Sequence, residues 1–183
     1  MKSIDLVFPK NNEKEFLKIA KALGKKEIVF VYTSKDYKEW KEKENIIVKT
    51  AVLAPAKEAY YLKQKYALIV VKSHPETDKW TVEHVKPWIM YGFENDEKKD
   101  FMHHRNSGID HILAAQMTEH GVNYGFSVGY LLHASCEQKA VLLGRMRQNI
   151  YLLKKEKVPV FLATLSSDPM DMRNEKDVKE LID

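Results

Sequence analysis

Seven short apolar runs, rich in β-branched and aromatic residues, constrain the fold of this chain more than any other feature; they fall at 4–8, 28–32, 46–52, 67–71, 88–91, 122–126 and 158–162. Most are continuously apolar rather than alternating, as expected of strands covered on both faces. Helical patterns lie between them. Phe16, Ile19, Ala20 and Leu23 form one apolar stripe, and Gly24 follows as a C-terminal stop. Ile109, Ile112, Leu113 and Gln116 form a second, with Ser107 as its expected N-cap. In the third, Leu143, Met146, Ile150 and Leu153 share a face, and Ser135 with Gln138 reads as a capping box. Strands alternating with helices imply parallel βα units wound in one hand. About seven such units favour a single α/β domain over 1–183, a TIM-like barrel whose closure at the C-terminal end is left open. A doubly wound open sheet is the alternative. No Gly-x-Gly-x-x-Gly follows the first run, so that alternative lacks a dinucleotide fingerprint.

The 183 residues suit one substantial core, and 44% apolar with 31% charged residues describe a globular chain rather than a disordered one. No apolar run approaches the length needed to cross a bilayer, and no secretory leader opens the sequence. The single cysteine, Cys136, leaves no internal disulfide and no Cys-rich zinc site, so a cytoplasmic location is the default expectation. Thirty basic against 26 acidic residues give a charge of +4, a weak pull toward nucleic acid. The Lys-Glu run at 41–44 reads as solvated surface laced with weak ion pairs.

Chemistry on a barrel belongs where the strands end. Those ends offer Lys10, Thr33, Lys72-Ser73-His74, Glu94-Asn95, Ser127 and Ser166-Ser167-Asp168. His-x-His, His-Glu-x-x-His and phosphate-loop patterns are absent, and neither a catalytic nor a metal-ligating residue is assigned. His103, His104, His111, His120 and His133 cluster in sequence, but their spacing favours surface, RNA-facing or core-capping roles over ligation. The unpatterned stretch 93–106 is long enough to expect a functional loop. Arg105-Asn106 precedes the second helical stripe, whose N-terminal N–H groups would attract phosphate, and His111 projects away from the stripe. On the third helix Gln148 is expected opposite the apolar face, flanked by Arg145 and Arg147. Arginine and amide groups displayed together suit RNA backbone and 2′-hydroxyl contacts; an ordinary solvated helix exterior reads equally well from spacing alone.

Several motifs resemble, in order, those of the archaeal and eukaryotic ribonuclease P component 3 family. They are Arg105-Asn106-Ser107-Gly108 with His111, Gly125-Phe126-Ser127, and Leu143-Gly144-Arg145-Met146 with Gln148-Asn149-Ile150. Lys157-Val158-Pro159-Val160, Ser167-Asp168-Pro169 and Met172-Arg173 continue the pattern, and Asp5-Leu6-Val7-Phe8-Pro9 is similar at the start. The resemblance is dense over 105–173 and thinner before it. It implies a barrel related to the polymerase-and-histidinol-phosphatase phosphoesterases, in which the first-strand His-x-His is here replaced by Asp5-Leu6-Val7-Phe8. It also implies a non-catalytic RNA- and protein-binding subunit that supports a catalytic RNA in removing the 5′ leader of precursor tRNA. The implied partners are the ribonuclease P RNA and protein component 2, in a heterodimer or dimer of heterodimers, with precursor tRNA met indirectly. Magnesium enters through the RNA, and this chain binds no cofactor of its own. The expected RNA contacts are Arg105, Asn106, His111, Arg145, Arg147, Gln148 and Arg173, with Lys72 at a strand end. The chain ends at Asp183, where members of that family continue through a further helix. Two rival readings remain at this point: a degenerate metal-dependent phosphoesterase using Asp5, His74 and Asp168, and a pure protein-interaction scaffold.

Overall fold

The computed structural model describes residues 4–41, 45–95, 99–100 and 102–180; most of the Lys-Glu run and the chain end lie outside the described residues. Each of the seven apolar runs forms a strand, shifted by a residue or two: β1 (Asp5–Val7), β2 (Glu27–Thr33), β3 (Ile47–Leu53), β4 (Ile69–Lys72), β5 (Ile89–Tyr91), β6 (Asn123–Ser127) and β7 (Val160–Ala163). All pair in parallel and in sequence order, as right-handed βα units require. The first and last strands are then tied together. Leu165 N–H donates to the Leu6 carbonyl at 2.7 Å, and Phe8 N–H donates to the Ser166 carbonyl at 2.9 Å. Leu165 adopts φ 47°, uncommon for an aliphatic residue, to make that bond. The result is a seven-stranded, nearly closed TIM-like barrel.

Alternate strand residues fill its interior: Leu6, Val29, Val31, Ala51, Val70, Ile89, Tyr91 and Phe161 pack in one cluster. The opposite faces of the strands pack against the helices. Phe16, Leu17 and Ala20 of α1 (Glu13–Ala22) cover Ile28, Phe30 and Tyr32. A larger cluster lies beneath α2 (Ala56–Leu62), α4 (His111–His120) and α6 (Cys136–Lys155). Burying each large apolar side chain contributes roughly 1.5–3 kcal/mol, so this two-sided burial is what the continuous apolar runs encode. Between β4 and β5 a helical segment α3 (Asp78–Trp80) runs directly into a π-helical turn, Thr81–Val85. The remaining helices are α5 (Val128–His133) and α7 (Glu175–Glu180).

Gly24 ends α1 at φ 67°, with Lys25 N–H reaching back to the Ala20 carbonyl at 2.9 Å. Ser135 and Gln138 form the expected capping box of α6. The expected cap of α4 is corrected. Its N-cap is Asp110, whose carboxylate accepts from Leu113 N–H at 2.7 Å, while Ser107 lies buried three residues upstream. Asp outranks a serine placed too early because the cap must face the N–H three residues on. No helix among the described residues is long and apolar enough to cross a membrane.

Candidate nucleic-acid interface

Residues 99–100 and 102–110 form a ledge against α6, fixed chiefly through the backbone. Gln148 treats Arg105 as a strand would: its Oε1 accepts from Arg105 N–H at 3.1 Å, and its Nε2 donates to the Arg105 carbonyl at 3.0 Å. The same Nε2 donates to Ser107 Oγ at 2.8 Å, and Asn149 Nδ2 donates to the Ser107 carbonyl at 2.8 Å. Gly108 sits at φ 80° with its Cα against the Phe93 carbonyl, where a Cβ would collide with that oxygen. Glycine is therefore required twice over, by conformation and by space.

Asp100 closes the ledge from the other side. Its carboxylate accepts from Arg145 Nε at 2.7 Å, from Asn106 N–H at 3.0 Å and from Arg105 Nη1 at 3.2 Å. Burial alone would push the Asp100 carboxyl up, but Arg145, the Asn106 N–H and Arg105 together hold it below its ordinary value. Arg145 also donates to the Glu94 carbonyl at 3.0 Å. Gly144 gives Arg105 its seat: a Cβ there would overlap the guanidinium lying across the helix.

Beneath the ledge, Tyr124 hydroxyl donates to Glu94 Oε2 at 3.0 Å, and the other Glu94 oxygen is buried without a partner among the described residues. Burial pushes the Glu94 carboxyl up to about 7, only partly offset by its own backbone N–H, the Tyr124 hydroxyl and Arg145. At neutral pH this buried acid is poised between its charged and neutral forms.

The eight expected RNA-contact residues thus divide. Arg105, Asn106, Arg145 and Gln148 meet at the ledge, where Arg105 is 47% exposed at its side chain. Arg147 is exposed two positions beyond Arg145, and His111 is exposed as the first residue of α4. Two expectations are corrected. Arg145 is only 4% exposed because its guanidinium is turned inward onto Asp100 and the Glu94 carbonyl. Gln148 is half-buried, its amide committed to the backbone of Arg105 and to Ser107. Both position the ledge rather than display themselves. Arg105-Asn106 also does not adjoin a helix N-terminus, since α4 starts at His111. Arg173 lies apart, its guanidinium donating to the Met170 and Met172 carbonyls at 2.6 and 2.9 Å. Lys72 stands at the end of β4 with its ammonium 5.6 Å from the Tyr130 ring centre.

Two cavities adjoin these groups. One of about 1180 Å³ opens at the C-terminal ends of β2–β5, lined by Thr33, Leu53, Lys72, His74 and Tyr91 among others. A second, about 460 Å³, runs between the ledge residues His104–Asp110 and the side chains of Asp78 and Lys79.

The phosphoesterase trio is not assembled. Asp5 accepts from Thr164 N–H at 2.7 Å and pairs with Lys25 at 3.1 Å, while Asp168 caps the turn at Met170 N–H at 2.9 Å. Among the described residues no group of three or more His, Cys, Asp or Glu side chains is arranged to hold a metal. His133 Nε2 lies 2.6 Å from Asp171 Oδ2, which also takes the Ser166 hydroxyl. Because serine and histidine both meet the carboxylate, the histidine is not placed to take a proton from the serine. Sequence reasoning missed Asp100, and it named Glu94 and Asn149 without giving either a role at the ledge. Gly144, inside a long helix where glycine is unfavourable, was the readable sign that something packs there.

Comparison with known proteins bears on the fold and on sequence similarity. No family model matches the chain. The ribonuclease P protein component 3 of Thermococcus kodakarensis is 32% identical over 77 residues, 42% of this chain and 35% of the relative. That of Thermococcus gammatolerans is 29% identical over 97 residues, 53% of this chain and 39% of the relative. These matches span little more than a third of the relatives' length. A chain in the cryo-EM structure of archaeal ribonuclease P with mature tRNA superposes with a TM-score of 0.78 at 21% identity, over 97% of this chain and 80% of that one. An uncharacterized protein of known crystal structure superposes at 0.59 with 8% identity, over 97% of this chain and 68% of that one. The chain is a TIM-like barrel similar in sequence to archaeal ribonuclease P protein component 3.

Proposed function

We propose that this chain is a protein subunit of archaeal ribonuclease P, binding the catalytic RNA and supporting removal of the 5′ leader from precursor tRNA without catalysing the cleavage. The observation that carries the reading is the ledge. A loop fixed by Gln148, Asn149 and Asp100 presents Arg105 from the barrel, and His111 on α4 and Arg147 on α6 are exposed as well. Binding to a phosphate backbone gains from cations that are already held in place, because little side-chain freedom is lost on contact. The similarity to component 3 of two Thermococcus species and the fold shared with a chain of an archaeal ribonuclease P structure support the same reading.

In this account the subunit screens phosphate repulsion within the RNA and favours its active fold. Magnesium bound by the RNA performs the hydrolysis. Protein component 2 is the expected protein partner, precursor tRNA is engaged through the holoenzyme, and the setting is the cytoplasm.

The test is binding of the full chain to an archaeal ribonuclease P RNA over roughly 50–200 mM salt. Affinity should fall steeply with salt, and Arg105→Ala and Arg147→Ala should each reduce the logarithmic slope by about one. Salt-independent binding, or slopes unchanged in both variants, would refute the ledge as the RNA contact.

A further inference from the structure

Away from the ledge the barrel carries an exposed run of aromatic rings. Tyr61 is 75% exposed, and Tyr60 and Trp80 are 40% and 38% exposed. Tyr60 and Tyr61 lie 5.5 Å apart between ring centres, Tyr60 and Trp80 5.7 Å, and Trp80 and His84 5.5 Å. The last pair is stacked at 15°, because the wide π-helical turn sets residues four apart nearly in line. Single exposed aromatics are ordinary on a protein surface, whereas four contiguous rings are not. π-Helical turns themselves concentrate at functional sites.

Lysines outnumber carboxylates around the rings. Lys57, Lys63, Lys79 and Lys86 are exposed on the two helical elements that carry the rings and at their ends. Lys63 lies 4.4 Å from the centre of the Tyr60 ring. The same elements carry three carboxylates, of which Glu58 is exposed, Glu83 half-buried and Asp78 buried. Glu58 accepts from Ser34 at 2.5 Å, Asp78 from Ser73 at 2.5 Å and Glu83 from Gln116 at 2.6 Å. Ile112, an exposed aliphatic side chain, lines the adjoining groove. Protein interfaces are depleted in lysine, so aromatic rings set among lysines fit nucleic acid better than a protein partner. Stacking platforms flanked by cations are how unpaired bases are held.

The run is also continuous with the ledge. The 460 Å³ groove beside Arg105 and Asn106 is walled on its far side by Asp78 and Lys79, and Trp80 is the next residue. Gln116 of α4, which lines that groove, donates to Glu83 of the π-helical turn.

We propose that Tyr61, Trp80 and His84 form a stacking platform for unpaired bases of single-stranded RNA, reached along the groove from the ledge. The proposal rests on the reading of the chain as an RNA-binding subunit. The ledge holds backbone phosphates, and the platform takes two or three successive bases, with Lys79 spanning the two.

The test uses the full chain, a twelve-residue oligouridylate or oligoadenylate, and an RNA duplex of equal length. Of the three tryptophans Trp80 is the exposed one, so stacking should quench fluorescence in the wild type and in Trp88→Phe but not in Trp80→Leu. Tyr61→Leu and Trp80→Leu keep apolar bulk and remove a ring face. Each should weaken single-strand binding roughly 5- to 100-fold while leaving duplex binding unchanged. Single-strand binding that is unaffected in both variants but weakened in Arg105→Ala would overturn the platform and leave the RNA-subunit reading intact. Loss of component 2 association with unchanged RNA binding would make the surface a protein interface and also overturn it. Failure of the wild type to bind any RNA would overturn both readings.

Discussion

Arg145→Ala separates positioning from contact at the ledge. In the folded chain its guanidinium makes a charge-assisted hydrogen bond to Asp100 at 2.7 Å and a second to the Glu94 carbonyl at 3.0 Å, at 4% exposure. A hydrogen bond to a charged group contributes about 1.5–3 kcal/mol, and a buried carbonyl left unpaired costs about 1–3 kcal/mol. Asp100 keeps Arg105, the Asn106 N–H and some water, with 24% of its side chain exposed, so the lower end applies. About 3 kcal/mol should be lost, which in a domain of this size lowers Tm by roughly 6–12 °C. The assay is thermal or urea unfolding alongside RNA binding measured across salt concentrations. If Arg145 only positions the ledge, the variant should be destabilised while its logarithmic salt slope at low temperature stays that of the wild type. An unchanged Tm with a slope reduced by about one would refute the reasoning and make Arg145 a phosphate contact.

Glu94 gives a pH signature. Its carboxyl titrates near 7 when folded against 4.5 when free, so the folded chain keeps a proton that the unfolded chain has shed. That contribution is fully present below about pH 4.5 and disappears as pH rises through 7, a span worth about 3 kcal/mol. Urea unfolding at pH 5 and 8 should show wild type losing about that much relative to Glu94→Gln, and parallel profiles would contradict it. Gly108→Ala places a methyl group against the Phe93 carbonyl at φ 80° and should cost upwards of about 2 kcal/mol, read by Tm. Gly144→Ala should move the other way in stability, gaining up to about 1 kcal/mol of helix propensity, while displacing the Arg105 guanidinium and weakening RNA binding. Equal RNA affinity in Gly144→Ala would show that Arg105 does not need its seat.

The barrel was legible because a strand buried on both faces must be continuously apolar, and seven such runs occurred at βα spacing. Helices with a bulky stripe or a capping box, α1, α4 and α6, were legible for the same reason. α2 and α5 were not. Of α2 only Ala56 and Ala59 are buried, and α5 has six residues, so neither shows a periodic stripe. Arginine and amide types marked residues that the fold brings together at the ledge, but spacing alone could not orient them. Arg145 and Arg147 are two positions apart on α6, yet one is buried and the other exposed. The difference comes from Asp100, a partner 45 residues away that no local pattern announces. Gln148 and Asn149 likewise serve a loop more than 40 residues distant in sequence.

The most direct measurement of the account is reconstitution of archaeal ribonuclease P from its RNA, component 2 and magnesium, with and without this chain, on precursor tRNA. The account predicts 5′-leader cleavage at lower magnesium only when the chain is present, with the gain reduced by Arg105→Ala combined with Arg147→Ala. Cleavage indifferent to the chain, or phosphoesterase activity of the chain alone that is abolished by chelation, would contradict it.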